Sequence, residues 1–599
     1  MKLCYCFMIS LVLLGTVDSD RVQADEPPAF PQRVLEFPTD RTVGLVYVWP
    51  GPVPEAYELM SLLGQSSVPN TKWFCRGTNR LHRQSRPETQ RIEARGPVTI
   101  PPGHWCCLDL DYDAPADLAF LDALNLDGLQ FIRWKSQTGM TDAAGPHIAR
   151  LAGLRGLFLF RSGNLNLETF GLIGGMPNLE FLDLGSITFD DEEAIRIAKL
   201  PKLKAFRVAQ SKITKVGFSS LAALPLSFLA IPAATAIGDG PMVRLNHHAH
   251  LKTLDLSKTR VTPKSFIVLA TLPQLQHLVL PGTENLIWFT NTSALHFRKM
   301  TRLETIDARQ PSQTECLMAL SGLKELRLPD WLADVAFRQV CQMKSLTSLQ
   351  MACDSLNERS LACLATLPHL EELEIKADEV DPQLVEKLTE IVSKIETLKS
   401  LKITSSHLDR DCLHRLTRLR NLQRLSLSYP ALLPDDYDEL KFFPFLKALE
   451  IHSSSPQFTT LQFLDQIPQL THVNLRLHSA PVPVEEFQRF KKLTKLAFLS
   501  CDFPVNDEIL PTLVGLPELS YLKLERAAIT DQGAKSLAMC RNLDYFAIAG
   551  TKVTKEGITW ISGMSPRTVK HLGSSQLRAA DLRGLMKLAP RLYLTKETE

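Results

Sequence analysis

Apolar positions recur along this chain at a fixed interval. A phrase Leu-x-x-Leu-x-Leu, with Ile, Val or Phe at some places, opens at Leu129, Leu154, Leu179, Leu203, Leu226, Leu251, Leu275, Leu303, Leu323, Leu346, Leu370, Leu398, Leu422, Leu446, Leu470, Leu493, Leu519, Leu543 and, in weaker form, Val569. Most steps are 23 to 26 residues; the exceptions are 28 before Leu303, 20 before Leu323 and 28 before Leu398. With the first leucine as position zero, +3 and +5 are apolar, as in Leu254 and Leu256 or Leu522 and Leu524. A period of two predicts a short strand with one face turned inward. Positions −6 and −3 are apolar too, as in Leu269 and Leu272 or Leu513 and Leu516. That spacing predicts one side of a helical turn. Proline at −2, as at Pro177, Pro201, Pro273, Pro368 and Pro517, stops the helix and frees the chain for the next strand. The phrase Ile529-Thr530-x-x-Gly533 returns as Val553-Thr554-x-x-Gly557 and suits a turn that enters a helix.

Each unit therefore reads as strand, turn, helix. One such unit cannot bury its apolar face, whereas stacked units bury a continuous core. The predicted class is an α/β solenoid of about 19 repeats over residues 116–580, with a curved parallel sheet inside and helices outside. The stretch DLSKTRVTPKSFIVLATLPQLQHLVL is similar to the unit of bacterial exported leucine-rich-repeat proteins. It also resembles the repeats of F-box-associated and ribonuclease-inhibitor-like proteins. The resemblance runs from about residue 116 to the end and implies a binding scaffold with no catalytic residues.

The two ends differ from the array. Lys2, the apolar run Leu3 to Val17 and the small residues of Val22-Gln23-Ala24 match a signal peptide over 1–24, with Asp25 as the first mature residue. Fifteen apolar residues fall short of the roughly 20 that a spanning helix needs. The expectation is export to the periplasm, cell surface or medium, with no stable membrane span after cleavage. Residues 25–115 lack the anchor phrase, and RTVGLVYVWP and GPVTIPPGHWCCLDLDY read as β-strands. A solenoid needs its end layers covered, so this segment is expected to be a small N-terminal β-rich cap. Residues 581–599 read as a degenerate last repeat, C-terminal cap and polar tail.

Composition narrows the chemistry. Lys plus Arg number 67 and Asp plus Glu 65 in 599 residues, so no general field favours nucleic acid or an anionic membrane. Twelve cysteines are present; Cys4 and Cys6 lie in the signal segment, and no C-x-x-C pair occurs. Cys316, Cys363 and Cys540 fall in repeat positions that suit small buried hydrophobes. Cys75, Cys106 and Cys107 lie outside the array and are the disulfide candidates. His247, His248 and His250, and the group His407, Asp409, Asp411, Cys412 and His414, lack the spacing of a metal site. Gly171-Leu172-Ile173-Gly174-Gly175 lacks the Lys-Ser/Thr of a phosphate loop. No G-x-S-x-G or H-E-x-x-H appears. The chain is expected to be no enzyme and to use no cofactor and no metal.

Strand alternation turns +2, +4 and +6 to the concave side. In early repeats these are Phe131, Arg133, Phe158, Phe160, Phe181, Ala205, Phe228 and Ala230. Five phenylalanines on a wet surface would mark an interaction site, unless the N-terminal cap folds over them. Later repeats offer Glu372, Glu374, Arg424, His472, Arg476, Lys495, Tyr521, Lys523 and Tyr545, with both charge signs interleaved. That mixture favours a protein or peptide partner over nucleic acid. The reading is an exported, non-enzymatic leucine-rich-repeat scaffold that binds a protein or other macromolecule on its concave face. The alternatives are a cytosolic substrate receptor of an F-box-type ubiquitin ligase, and a structural cell-envelope protein. A hydrolase hidden in 25–115 is disfavoured, because that segment shows no nucleophile, base and acid arrangement.

Overall fold

The computed structural model describes residues 30–40, 43–50, 90–110, 118–134, 140–159, 165–246, 248–281, 295–307, 320, 322–328, 333–378, 380–455, 457–477, 482–502, 505–525, 527–540, 542–564, 568–577, 585 and 592–596. The expected signal segment, Cys75, Phe160, His247, Cys316 and the tail beyond 596 fall outside them.

The strands form one ribbon. Among the described residues, twenty-three of the strands hydrogen-bond in a single sheet. It begins with Gln90–Glu93 antiparallel to Gly44–Pro50, which is antiparallel in turn to His104–Leu110. From His104–Leu110 onward every pairing is parallel, through Phe131–Trp134 to Val569–Ser574 and Leu592–Lys596. Among the described pairings, the first and last strands are joined on one side only, so the sheet stays open. Arg33–Glu36 and Pro97–Ile100 make a separate antiparallel pair beside it. The strands expected in the N-terminal segment are thus present, and His104–Leu110 continues into the repeat sheet. The tail also supplies more than a polar end, since Leu592–Lys596 adds a further parallel strand.

The inward residues behave as the period requires. Leu254, Leu256, Leu522 and Leu524 are fully buried, as are Leu269 and Leu513 of the helical turns. The helices of neighbouring repeats pack side by side along the outer wall. Some are 3-10 turns, such as Pro434–Phe442 and Val484–Lys492; others are α-helices, such as Asp531–Ala538. The amphipathic stretch after Leu370 forms Pro382–Val392, with Asp381 accepting from the Gln383 N–H at 2.8 Å and proline in the first turn.

Two anchors shift. Phe498, not Lys495, stands opposite His472 and Tyr521. Position zero of that repeat is therefore Leu496, and Leu493 takes the buried −3 place. Lys495 lies in an exposed turn and leaves the concave face. The text misleads because Leu493-x-x-Leu496 imitates the opening of the phrase. Val569 likewise pairs with Tyr545 and is a +2 residue rather than an anchor.

The returning Thr-x-x-Gly phrase joins one repeat to the next. Thr554 caps its own helix by accepting from the Glu556 N–H at 3.2 Å. Its N–H and hydroxyl then donate to the two oxygens of Asp531, one repeat earlier, at 2.8 and 2.6 Å. The Gly557 N–H donates to the same carboxylate at 3.0 Å. A Cβ on Gly557 would overlap Asp531 Oδ1, so the glycine makes room for this carboxylate. Asp191 receives Thr214 and Gly217 in the same way, and Asp507 receives Thr530. At Asp239 the partners are Thr262 and Ser265, whose hydroxyl replaces the glycine N–H. Each carboxylate sits in the first turn of its helix or just before it, where the helix dipole favours negative charge.

Candidate concave interaction face

The concave face divides into two parts. In the first, the +2 row runs Cys107, Phe131, Gly156, Phe181, Ala205 and Phe228 in cross-strand register. Phe158 projects from the next row and is fully buried, as is Phe131; Phe181 and Phe228 are 3% and 8% exposed. They stand on the concave side, and of the two readings given above it is the covered one, with N-terminal residues over the rings, that is seen. The residues form a second apolar cluster with Trp49, Trp105, Cys107, Ala205 and Ala230, separate from the inner core. Phe131 stacks on Trp49 at 5.6 Å and meets Trp105 at 6.0 Å; Phe30 lies edge-on to Trp105 at 5.1 Å. Strands ahead of the repeats thus bring two indoles to the rings. Gly156 lies where Phe131 and Phe158 converge; a Cβ there would come within 2.7 Å of Phe131.

Charge is buried there too. Asp183 and Arg207, on adjacent strands, pair at 2.9 Å with both side chains nearly inaccessible. Arg133 lies 4.0 Å from Asp109, which is fully buried. Such pairs hold register by the cost of breaking them more than by net stabilisation. Cys106 and Cys107 are neighbours on a strand and point to opposite faces. The Cys106 thiol donates to the Gly128 carbonyl at 3.1 Å on the core side, so it stands there as a thiol, not in a bridge. Burial pushes its pKa up. Cys107 lies in the concave cluster. Cys363 is half-buried, while Cys540 is buried as expected.

The second part begins near Glu325 and is accessible. Glu372 and Arg476 are exposed, whereas Glu374, Arg424, His472, Tyr521, Lys523 and Tyr545 are partly so. The +2 and +4 places alternate with buried leucines, as the period required. Many polar groups fix one another. Lys402 pairs with Glu374 at 2.7 Å, and Lys523 pairs with Glu525. Glu450 accepts from Ser426 at 3.0 Å and Asn474 at 2.6 Å, and contacts His452 Nε2 at 3.0 Å. Burial works against its charge, but the His452 and Ser426 hydrogen bonds and nearby Lys402 outweigh it, taking the carboxyl down to about 2. Glu325 has the opposite fate: burial, with Glu372 and Glu304 nearby, raises it to about 7.

A row of rings closes this part. His472, Phe498, Tyr521 and Tyr545 occupy the +2 place of successive strands, and His571 follows at +4. Phe498 escapes the sequence reading because the displaced anchor at Leu493 puts it at the inward +5 place, whereas His571 falls on a concave place from either anchor and was not singled out. Counting from Leu496 would have found Phe498.

The histidine-bearing segments have structural partners. His248 Nε2 contacts the Leu224 carbonyl at 2.8 Å. Asp409 caps the helix Arg410–Leu416 through the Cys412 N–H at 2.9 Å, Cys412 is buried, and His414 Nδ1 contacts Glu439 at 2.8 Å. Gly174 ends the helix Leu167–Gly174 against the Arg196 carbonyl. Among the described residues no group of three His, Cys, Asp or Glu side chains is placed to hold a metal. No helix there is long and apolar enough to cross a membrane.

This geometry defines a leucine-rich-repeat solenoid. Residues 303–513 match the family model described as leucine-rich repeat region. Parallel strand pairings continue on both sides of that segment, with register shifts between Asp183 and Ser186 and between Ile548 and Thr551. No curated protein matches the chain in sequence. Among solved structures it is similar to an internalin from Listeria monocytogenes, at 16% identity and TM-score 0.27, covering 61% of this chain and 87% of that one. A TLR13–ssRNA13 complex gives 15% identity and TM-score 0.38, covering 82% and 68%. The plant peptide hormone receptor RGFR1, in complex with RGF2, gives 14% and 0.29, covering 79% and 84%.

Proposed function

We propose that this protein is an exported, non-enzymatic leucine-rich-repeat scaffold that binds a protein partner on the accessible part of its concave face. The observation that carries the reading is the preset polar surface after Glu325. Lys402–Glu374 and the Glu450 cluster hold their side chains in place across strands. Little side-chain ordering then remains to oppose association. Interleaved signs favour a mixed-charge protein surface over a polyanion. The apolar N-terminal run of residues 3–17 supports export.

The test uses the mature chain as bait against cell envelope and medium. A concave variant, Glu372→Lys with Arg424→Glu, is expected to lose a captured partner that an outer-helix variant, Lys387→Glu, retains. Equal capture by both would remove the concave face from consideration. N-terminal sequencing of the native protein is expected to begin at Asp25; a retained Met1 would overturn export.

A further inference from the structure

The ring row differs in kind from the charged rows before it. Phe498 stacks on His472 at 5.7 Å and 21°, and on Tyr521 at 4.2 Å and 12°. Tyr521 stacks on Tyr545 at 4.5 Å and 9°, and Tyr545 meets His571 at 5.5 Å and 42°. Phe498, Tyr521 and Tyr545 therefore have both faces occupied by neighbouring rings. What they offer outward is ring edge, with the tyrosine hydroxyls at the rim.

We propose that this ladder is the docking ridge for an extended, uncharged stretch of a protein partner's chain, laid across the strands. The proposal rests on the concave-face reading above and deepens it. Three observations choose this occupant. Nucleic-acid bases bind aromatic residues by stacking on open ring faces, and a sugar ring packs on the same faces; here those faces are filled. Ring edges carry the positive end of the aromatic quadrupole, and with the Tyr521 and Tyr545 hydroxyls bonded to each other one phenol O–H remains to donate, so both suit backbone carbonyl oxygens. Next, the flanking positions are small or neutral: Ser500 and Ala547 lie one row over, and Lys523 between them is paired with Glu525. Burial lowers the His571 pKa and so favours its neutral form at that end. A charged partner residue would lose its hydration here without gaining an opposite charge. Last, five rings on strands about 4.8 Å apart span roughly 19 Å, the length of about six extended residues.

The probe is a library of displayed 12-residue peptides selected on the full chain. Each enriched peptide is then measured against Tyr521→Ser/Tyr545→Ser, with melting curves confirming the fold. The expected result is enrichment of aliphatic and proline-rich sequences whose Kd weakens at least tenfold in the serine variant. Ala547→Glu adds charge beside the ridge without removing a ring and is expected to weaken binding several-fold, so the idea remains exposed even if the double variant unfolds. Tyr521→Phe/Tyr545→Phe keeps the stack and is expected to cost only a few-fold. Failure of any peptide to enrich, or equal binding to both the serine and Ala547→Glu variants, would overturn the ridge. So would binding of a 13-nucleotide single-stranded RNA or a hexasaccharide that the serine variant abolishes. Peptides indifferent to the ladder variants but lost with Lys402→Glu would sink the ridge and leave the concave-face reading standing.

Discussion

Two aromatic groups stand on the concave side of this solenoid, and they are spent differently. The first gathers Phe131, Phe158, Phe181 and Phe228 under two tryptophans and buries them almost completely. The second lines up His472, Phe498, Tyr521 and Tyr545 in the open, with each ring partly exposed. Both arise from one rule, that +2 points away from the core. The outcome is set by what lies over the row. Near the start, antiparallel strands bring Trp49 and Trp105 to the rings and make a second core. Near the end, the rings pack on one another along the row. The same repeat position thus serves folding at one end and supplies a surface at the other.

The difference can be broken experimentally, and the largest effect is expected at the buried group. Phe131→Ser should cost about 3–5 kcal/mol in urea unfolding, as for other full burials of a large ring. A loss under 1 kcal/mol would mean the first row is no core at all. Glycines of the inter-repeat lock come next. Gly557→Ala and Gly217→Ala should each destabilise by about 1–3 kcal/mol, because the methyl meets the carboxylate of Asp531 or Asp191. Similar values at both would show that the two ends share one outer-wall device and differ only on the concave face. The smallest effect concerns Glu325. Its folded pKa, about 7, lies above the usual carboxylate value, so the folded chain holds more protons than the unfolded one between about pH 4.5 and 7. Stability therefore falls as pH rises through that window. Glu325→Gln should melt higher than the parent at pH 8, and the gap should shrink toward pH 5. A gap independent of pH would refute the assignment.

How much of this was legible follows from what period alone can report. The alternation of Leu254 and Leu256, or of Leu522 and Leu524, gives strand, face and stacking, because burial of those residues is local to the repeat. The helix after Asp381 is equally plain. Burial of Phe131 and Phe158 is not, since it depends on Trp49 and Trp105 from strands outside the repeat. The ladder was half visible: Tyr521 and Tyr545 fall on +2, but Phe498 was hidden by a leucine three residues early. A sequence also does not say that four such rings will stack, because that depends on unbroken register between strands.

The lock between repeats has a consequence for how such a chain can lengthen. Residues 531–554 carry both halves of it: Asp531 at their start receives Thr554 at their end. A tandem copy of that 24-residue block would present a carboxylate to its successor and a threonine to its predecessor, leaving no half unmatched. A unit closed in this way can be repeated in place without rewriting its neighbours.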